Sequence, residues 1–315
     1  MKKIVVFMAA VLTMGCLVCC VGNTTDATPD AAANDSTALR VAVLPTAECM
    51  PFYVAAQTGV FDSLGVNVRL MTFDAAMDAD TAFQRGHVDA VAADLVKAVL
   101  WKSRGDSIRV VMTADLNLYL VTSRPARLKT GESLKEKVVA FTRNSALDYT
   151  ADGMLALSKL QSEQLNKPQI NNINLRLQML LNGQYDGALL PEPYATLATS
   201  QGHNLVLSTQ NLKHYNPLFA VVAYDSLMRT RRSDMAKLVE AYDVVASRIE
   251  RSDSADASYW ISCLPMETVW PDSVVVLPQV RPSSKPSVSV VDSVKQWLRR
   301  RTLLQNDFKN SDLLP

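Results

Sequence analysis

The sequence predicts an α/β protein built as two similar lobes with a ligand cleft between them. Three observations lead there. The composition is globular, 315 residues of which 48% are hydrophobic and 20% charged, and supplies ample apolar material for a core. Strand-like and helix-like segments alternate along the chain. The alternation then recurs at a fixed offset from its first occurrence.

Residues 39–44 (LRVAVL) form a short apolar run rich in branched side chains and predict a buried strand. A helix over residues 50–58 follows, with Gly59 free to take the left-handed backbone that stops it. Residues 66–73 (VNVRLMTF) predict a second strand, and strand, helix, strand implies a parallel pair. A helix over 78–85 closed by Gly86, a strand over 88–93 (VDAVAA), a helix over 95–102 and a fourth strand over 108–112 complete the first unit.

The second unit repeats the script with a strand at 138–141 (VVAF), a helix at 145–160 and a helix at 176–182 closed by Gly183. Gly86 lies 45 residues after Val41 and Gly183 lies 45 after Val138, so strand and helix-stopping glycine recur at an offset of 97. Residues 118–122 (LYLVT) and 219–224 (FAVVAY) are extended and apolar and read as two strands that cross between the units. Residues 233–251, 255–263 and 288–300 are helical by pattern and are expected to pack back on the first unit. Lobe I is therefore assigned to residues 39–117 and 220–315, lobe II to 118–219. Ligands in α/β sheets sit outside the carboxyl ends of strands, which places the cleft between the lobes.

The N-terminus carries an address. Lys2 and Lys3 precede an apolar stretch over residues 4–18, and Cys16, Cys19 and Cys20 crowd its far end, which reads as an export signal over residues 1–20. The pattern resembles that of bacterial lipoproteins, whose modified cysteine follows a small residue. Gly15 before Cys16 fits, and Cys20 is the alternative lipid-anchor position. An uncleaved helix over residues 4–22 is the competing reading. Residues 21–38, small and polar, form a tether too poor in apolar surface to order itself. Outside the signal only Cys49 and Cys263 remain, expected as free buried thiols, with a disulfide the other possibility in an oxidising envelope.

Composition also excludes partners. Basic residues number 32 and acidic residues 31, so there is no cationic excess for nucleic acid. Removing Lys2 and Lys3 leaves a formal charge of about −1, with no polybasic patch to assist a membrane anchor. Eleven glycines spell neither nucleotide-binding loop, G-x-G-x-x-G or G-x-x-x-x-G-K-[ST]. His87, His203 and His214 stand in turn-like contexts without metal or triad spacing, and no G-x-S-x-G elbow exists. No catalytic residue, metal or cofactor is expected.

Three stretches carry a resemblance: residues 39–73, the A-F-Q-R-G-H-V-D-A run ending at Ala90, and R-L-Q-M-L-L-N-G-Q-Y-D-G-A-L-L-P-E-P over residues 176–193. Together with Trp297, Leu303 and Leu304 near the C-terminus, they resemble the nitrate/sulfonate/taurine and thiamine-pyrimidine branch of ABC-transporter substrate-binding proteins. The resemblance implies a type II periplasmic-binding-protein-like fold that captures one small polar solute and hands it to a membrane permease driven by an ATPase, working as a monomer. Residues 46–49 depart from the acidic or histidine-containing loop of parts of the family, so no particular solute follows. Enzymes of pyrimidine-precursor or menaquinone pathways share the fold, as would a sensory binding module; an export signal disfavours such enzymes, which work inside the cell.

If strand ends face the cleft, the candidate ligand-binding residues are Thr46, Glu48, Met50, Phe73, Asp94, Asp115, Thr142, Arg143, Asn144, Ser145 and Glu192. Ser145 with Asp148 three residues on is also a helix cap, and a helix start presents free N–H groups to a ligand. Arg143 can pair with a carboxylate or sulfonate or lie solvated. Glu48, Asp94 and Glu192 around one pocket would repel a bare anion and favour an aminopyrimidine or amine, although Asp94 also reads as a helix cap. Asp89 and Asp186 are expected to fix matched turns. Tyr53, Phe73, Tyr119 and Phe219 offer stacking faces or core packing.

Overall fold

The computed structural model describes residues 37–212, 218–253, 255–267, 271, 274, 279–285 and 287–314. The export signal, both anchor candidates Cys16 and Cys20, the tether up to residue 36 and His214 lie outside the described residues. Among the described residues no helix is long and apolar enough to cross a membrane.

β1 (Leu39–Val43) begins the chain's first sheet, and α1 (Met50–Gln57), with Pro51 in its first turn where no amide is needed, covers that sheet. Gly59, at φ +69°, turns the chain into the short α2 (Val60–Ser63) and β2 (Val68–Thr72). α3 (Ala76–Gln84), β3 (Ala90–Asp94), α4 (Leu95–Ser103) and β4 (Ile108–Asp115) follow in the predicted order. Only Leu116 and Asn117 separate β4 from β5 (Leu118–Thr122), which belongs to a second sheet. That sheet is completed by β6 (Val139–Ala140), α5 (Ala146–Leu157), α6 (Ile173–Leu181), β7 (Gly187–Pro191), α7 (Tyr194–Ser200) and β8 (Asn204–Ser208). β9 (Leu218–Tyr224) returns the chain to the first sheet, and α8 (Asp225–Thr230), α9 (Arg232–Glu250), α10 (Ala257–Ser262) and α11 (Val288–Arg300) end it.

The described residues form a five-stranded sheet, order β2-β1-β3-β9-β4, and a four-stranded sheet, order β6-β7-β5-β8. β1 pairs parallel with β2 and β3, and β6 parallel with β7. The two segments predicted to cross are embedded in the sheets: β9 runs antiparallel between β3 and β4, β5 antiparallel between β7 and β8. Each is the strand that has just arrived from the other sheet. The α/β architecture predicted from the sequence is thus present, with two sheets on one plan and β2 as the extra edge of the first. The helix at 194–200, the strand at 204–208 and the helix at 225–230 were not anticipated. They are short, and 204–208 is largely half-buried, so it shows neither clean alternation nor a continuous apolar run.

Burial follows the pleat. In β7, Ala188 and Leu190 face α6 and α7, packing with Leu177, Leu180 and Leu197. Leu189 points the other way, into the layer beneath α5 with Ala151, Met154 and Leu155. A larger cluster fills the first sheet and takes the stripe Met235, Leu238, Tyr242, Val245 and Ile249 of α9. α11 packs on α4, and side chains at its end reach the second sheet's α5. Trp297 Nε1 donates to Asp152 at 2.9 Å, and Arg301 Nη1 donates to Asp148 and Asp152, each at 2.9 Å. Cys49 and Cys263 are free, buried thiols.

The internal repeat has a physical form. The Arg40 amide donates to the Asp89 carboxylate and the Asp89 amide donates to the Arg40 carbonyl, both at 2.8 Å. In the second unit the Val138 amide donates to Asp186 at 2.9 Å, and the Asp186 amide returns a bond to the Val138 carbonyl at 3.0 Å. Each aspartate therefore clasps the chain at the first strand of its unit. The pairing also corrects the repeat by one residue. Val41 pairs with Ala90 and Val139 with Gly187, so the aspartates and glycines recur at 97 but the first strands at 98.

Replacing Asp186 with Ala is expected to lower unfolding free energy in urea by roughly 1–2 kcal/mol. Asp89→Ala should cost at least as much, because Asp89 also takes the Arg40 guanidinium through two nitrogens. Unchanged urea midpoints would remove the clasps as the source of the repeat.

Candidate functional site

A cavity of about 60 Å³ lies where the carboxyl ends of β1, β3, β6 and β7 converge. Leu44 and Thr46 follow β1, Asp94 ends β3, Thr142 follows β6 and Pro191 ends β7. Strand ends in parallel sheets leave helix N-termini and loop polar groups facing such a gap. Leu116 and Leu118, on the short passage from β4 to β5, supply part of the wall. Backbone contacts join the two sides: Ala47 N donates to Glu192 O at 2.9 Å, Ile173 N donates to Asp74 O at 3.0 Å, and Ala75 bridges Asn172.

The first-sheet side contributes carboxyl groups. Burial pushes Glu48 up to about 7, with Glu192 nearby adding to the rise while its own amide and Thr46 oppose it. Asp94 caps α4 by accepting from the Lys97 amide at 2.9 Å. The Ala146 amide, the first of α5 on the opposite side, also acts to lower its pKa. Burial outweighs both amides and the Lys97 charge and holds Asp94 at about 6. Asp80 pairs with Lys97 at 2.5 Å within the same wall. Burial raises Asp80 despite that lysine.

The second-sheet side contributes a cation. Arg176, on α6, is 2% exposed. Its Nη1 donates to the Ile170 carbonyl at 2.8 Å and the Thr142 hydroxyl at 3.3 Å, and its Nε has no partner. Among the described residues no carboxylate forms an ion pair with it. Desolvation depresses it to about 10, partly offset by Tyr194. A guanidinium buried without a counter-charge costs several kcal/mol, which a bound anion would relieve.

The candidate residues divide. Thr46, Glu48, Asp94, Thr142 and Ser145 line the cavity, as does Phe219. Ser145 caps α5 by accepting from the Leu147 amide, and Asp148 accepts from the Asn144 amide at 2.9 Å. Asp115, Tyr119 and Glu192, again with Glu48, line a neighbouring pocket. There Glu192, whose peptide bond to Pro193 is cis, holds Thr196 through its amide at 3.1 Å and its hydroxyl at 3.0 Å. Arg143 lies on the surface and donates to the Lys167 carbonyl at 2.7 and 3.2 Å. Met50 is fully buried in the first-sheet core, where Phe73 packs against the same cluster. Tyr53 bonds Thr72 at 3.1 Å. His203 accepts from the Arg124 amide. Among the described residues no group of three or more His, Cys, Asp or Glu is placed to hold a metal ion.

Sequence reading missed Arg176, Asp80 and Lys97. The signal for Arg176 was present: Ile173, Arg176, Leu177 and Leu180 share the buried stripe of α6, so an arginine stands in an apolar row. Beginning that helix at residue 176 hid the row.

The model of the NMT1-like family matches residues 32–261, well over half of the chain. No curated protein matches. Among solved structures, the ligand-binding component of an ABC-type import system from Staphylococcus aureus, with zinc bound, is 12% identical, with TM-score 0.73 over 89% of this chain and 96% of that one. The alkanesulfonate-binding protein of Xanthomonas axonopodis pv. citri, bound to MOPS, is 17% identical, with TM-score 0.72 over 85% and 94%. A Candida albicans protein described as having the generic periplasmic binding protein structural fold is 10% identical, with TM-score 0.63 over 86% and 92%. These likenesses establish that this chain has the periplasmic binding protein fold.

Raised carboxyl groups penalise the folded state once their unfolded counterparts ionise. For Glu48 the penalty is absent below its ordinary value of 4.5, grows between 4.5 and about 7, and is complete above, reaching up to about 3 kcal/mol. Glu48→Gln is therefore expected to raise Tm at pH 8 and leave it unchanged at pH 4. Thermal melts across that range check it, and an equal shift at both ends would mean that burial of the charge is not its cause.

Proposed function

The chain belongs to the NMT1-like family, and on that premise we propose that it is an extracytoplasmic solute-binding protein of an ABC importer. The observation that carries this reading is the cavity at the strand ends, polar on both sides and holding a buried arginine with no counter-ion. A buried charge left open toward a cavity suits a site whose partner arrives from outside. The likeness to structures described as binding components of import systems supports the same reading.

In this role the two sheets are the cores of two lobes, joined by the short link from β4 to β5 and by the return of the chain to β9, and the lobes close on a small polar organic solute. Closure shifts an open-to-closed equilibrium that permease and ATPase subunits read. The protein acts as a binder without catalysis, as a monomer, held to the envelope by a lipid on Cys16 or, alternatively, Cys20. The export signal supports this placement.

Calorimetric titration of vitamins, pyrimidines, sulfonates, amines and amino acids is expected to give saturable binding by one class, with Kd of micromolar order or tighter. Failure of every class would overturn the uptake role. Cys16→Ser, or Cys20→Ser if Cys16 is not the modified residue, is expected to move the protein from the membrane to the soluble fraction. Retention of both single variants and of the double variant at the membrane would sink the lipid anchor.

A further inference from the structure

Glu48 lines two spaces. One is the cavity at the strand ends; the other is a pocket of about 10 Å³ beside it, to which Asp115, Asn117, Tyr119, Glu192 and Tyr242 also contribute. Asp115, Asn117, Gln279 and Arg281 in turn line a further polar pocket of about 340 Å³, where Asp115, Gln279 and Arg281 are exposed to solvent. Tyr242, on α9, is fully buried, and its hydroxyl has no hydrogen-bond partner. Burial, and then the nearby Cys49 and Glu48, push that hydroxyl well above its ordinary value, so it keeps its proton and acts as a donor. A buried donor without an acceptor is costly and rare. The volume of the small pocket is about what one water molecule needs, given polar partners around it. The carboxyl groups there make no set of three for a metal ion, and Glu192 is turned to Thr196.

We propose that the small pocket holds one ordered water molecule, which accepts from the Tyr242 hydroxyl and donates to the Glu48 carboxylate, and that Glu48 exchanges its proton with solvent through this water and the larger pocket rather than through the cavity. The water supplies the acceptor that Tyr242 lacks. The route runs outward past Asn117, whose side-chain amide holds the Gln279 carbonyl at 3.2 Å where the two pockets meet. The proton leaves the carboxyl oxygen for the water, which passes one of its own outward, so the water is unchanged by the transfer. Burial holds Glu48 at about 7, so near neutral pH both its forms are populated. On the pocket side the ionisable groups around it are Asp115, Tyr119, Glu192, Tyr242 and Arg281, with Cys49 next in the chain and Asp243 beside Tyr242. On the cavity side they are Asp80, Asp94, Lys97 and Arg176. Of the cations, Lys97 is paired with Asp80 and Arg281 with Asp115, and Arg176 stands on the second sheet's side. Glu48 can therefore change its charge while a solute fills the cavity, whichever solute that is. This consequence rests on the solute-capture reading above; the water and its route do not.

Two measurements on the full-length protein test this. Tyr242→Phe keeps the ring that packs near Phe52 and Phe219, at centroid distances of 5.1 and 6.3 Å, and removes only the hydroxyl. Its Tm is expected to fall by about 2 °C or more at pH 8, where Glu48 is charged, and by less at pH 5. In a Glu48→Gln background the fall is expected to be equal at both values. Removing a hydroxyl that has no partner would raise Tm, and a rise therefore overturns the water. So does an equal fall at both pH values with Glu48 present, the mark of a purely structural tyrosine. The second measurement is a jump from pH 5 to pH 8 followed by infrared spectroscopy, the Glu48 carboxyl band being identified by its loss in Glu48→Gln. Asn117→Leu sets an apolar side chain where the pockets meet and is expected to slow the decay of that band at least ~10-fold. Ala93→Leu, which narrows the cavity instead, is expected to leave the rate within about twofold of wild type. Circular dichroism verifies that each variant is folded, and Gln279→Leu replaces Asn117→Leu should the latter not fold. Equal rates in all three proteins, or slowing by Ala93→Leu as large as that at the neck, overturns the route. Neither measurement bears on solute capture, which the calorimetric panel above decides.

Discussion

Neither sheet is complete without a strand delivered by the other. β9 joins β3 to β4 in the first sheet after the chain has built the second, and β5 joins β7 to β8 in the second directly after leaving the first. The passage from β4 to β5 takes two residues, and one of them, Leu116, is part of the cavity wall. The link between the two sheets and part of the cavity wall are therefore the same piece of backbone.

The electrostatics of the cavity follow from that placement. Strand ends bring loop residues and helix starts together at a point from which water is largely excluded. Each ionisable group there pays for burial unless another group compensates it. Asp80 and Lys97 compensate one another. Asp94 draws on the Lys97 amide at the start of α4. Arg176 has only neutral acceptors. The site is unevenly satisfied, and the unevenness has a direction, negative toward one sheet and positive toward the other. Such a pattern is stable in a folded protein only if the surrounding core is large enough to carry it, and both sheets are packed on two faces by apolar side chains.

Much of this was legible in the sequence because it is local. Branched runs such as LRVAVL and FAVVAY gave strands, and Gly59, Gly86 and Gly183, all with positive φ, marked the ends of helices. Asp94 and Ser145 stood where caps belong and do cap. The repeat was visible through its aspartates and glycines, although its first strands were off by one because apolar runs of similar residues align equally well in neighbouring registers. What could not be read was non-local. Nothing in LYLVT distinguishes a strand that bridges two sheets from one that sits inside the second, since its partners β7 and β8 lie some seventy residues on or more. Arg176 acquires its meaning only from Thr142, Ile170 and a cavity assembled from segments far apart in the chain. Glu192 and Arg143, sensible in a list of strand-end residues, are used by the structure to hold Thr196 and the Lys167 carbonyl.

The late arrival of β9 bears on how the protein is made. On a growing chain β3 and β4 are finished by residue 115, but the strand that must lie between them is synthesised about a hundred residues later. During that interval β3 lacks its inner neighbour and β4 has no strand partner at all, a pair of bare edges separated by a vacant slot. The first sheet therefore cannot be completed until the second has been synthesised. The strand that joins the two edges is seven residues long, with six of its side chains buried.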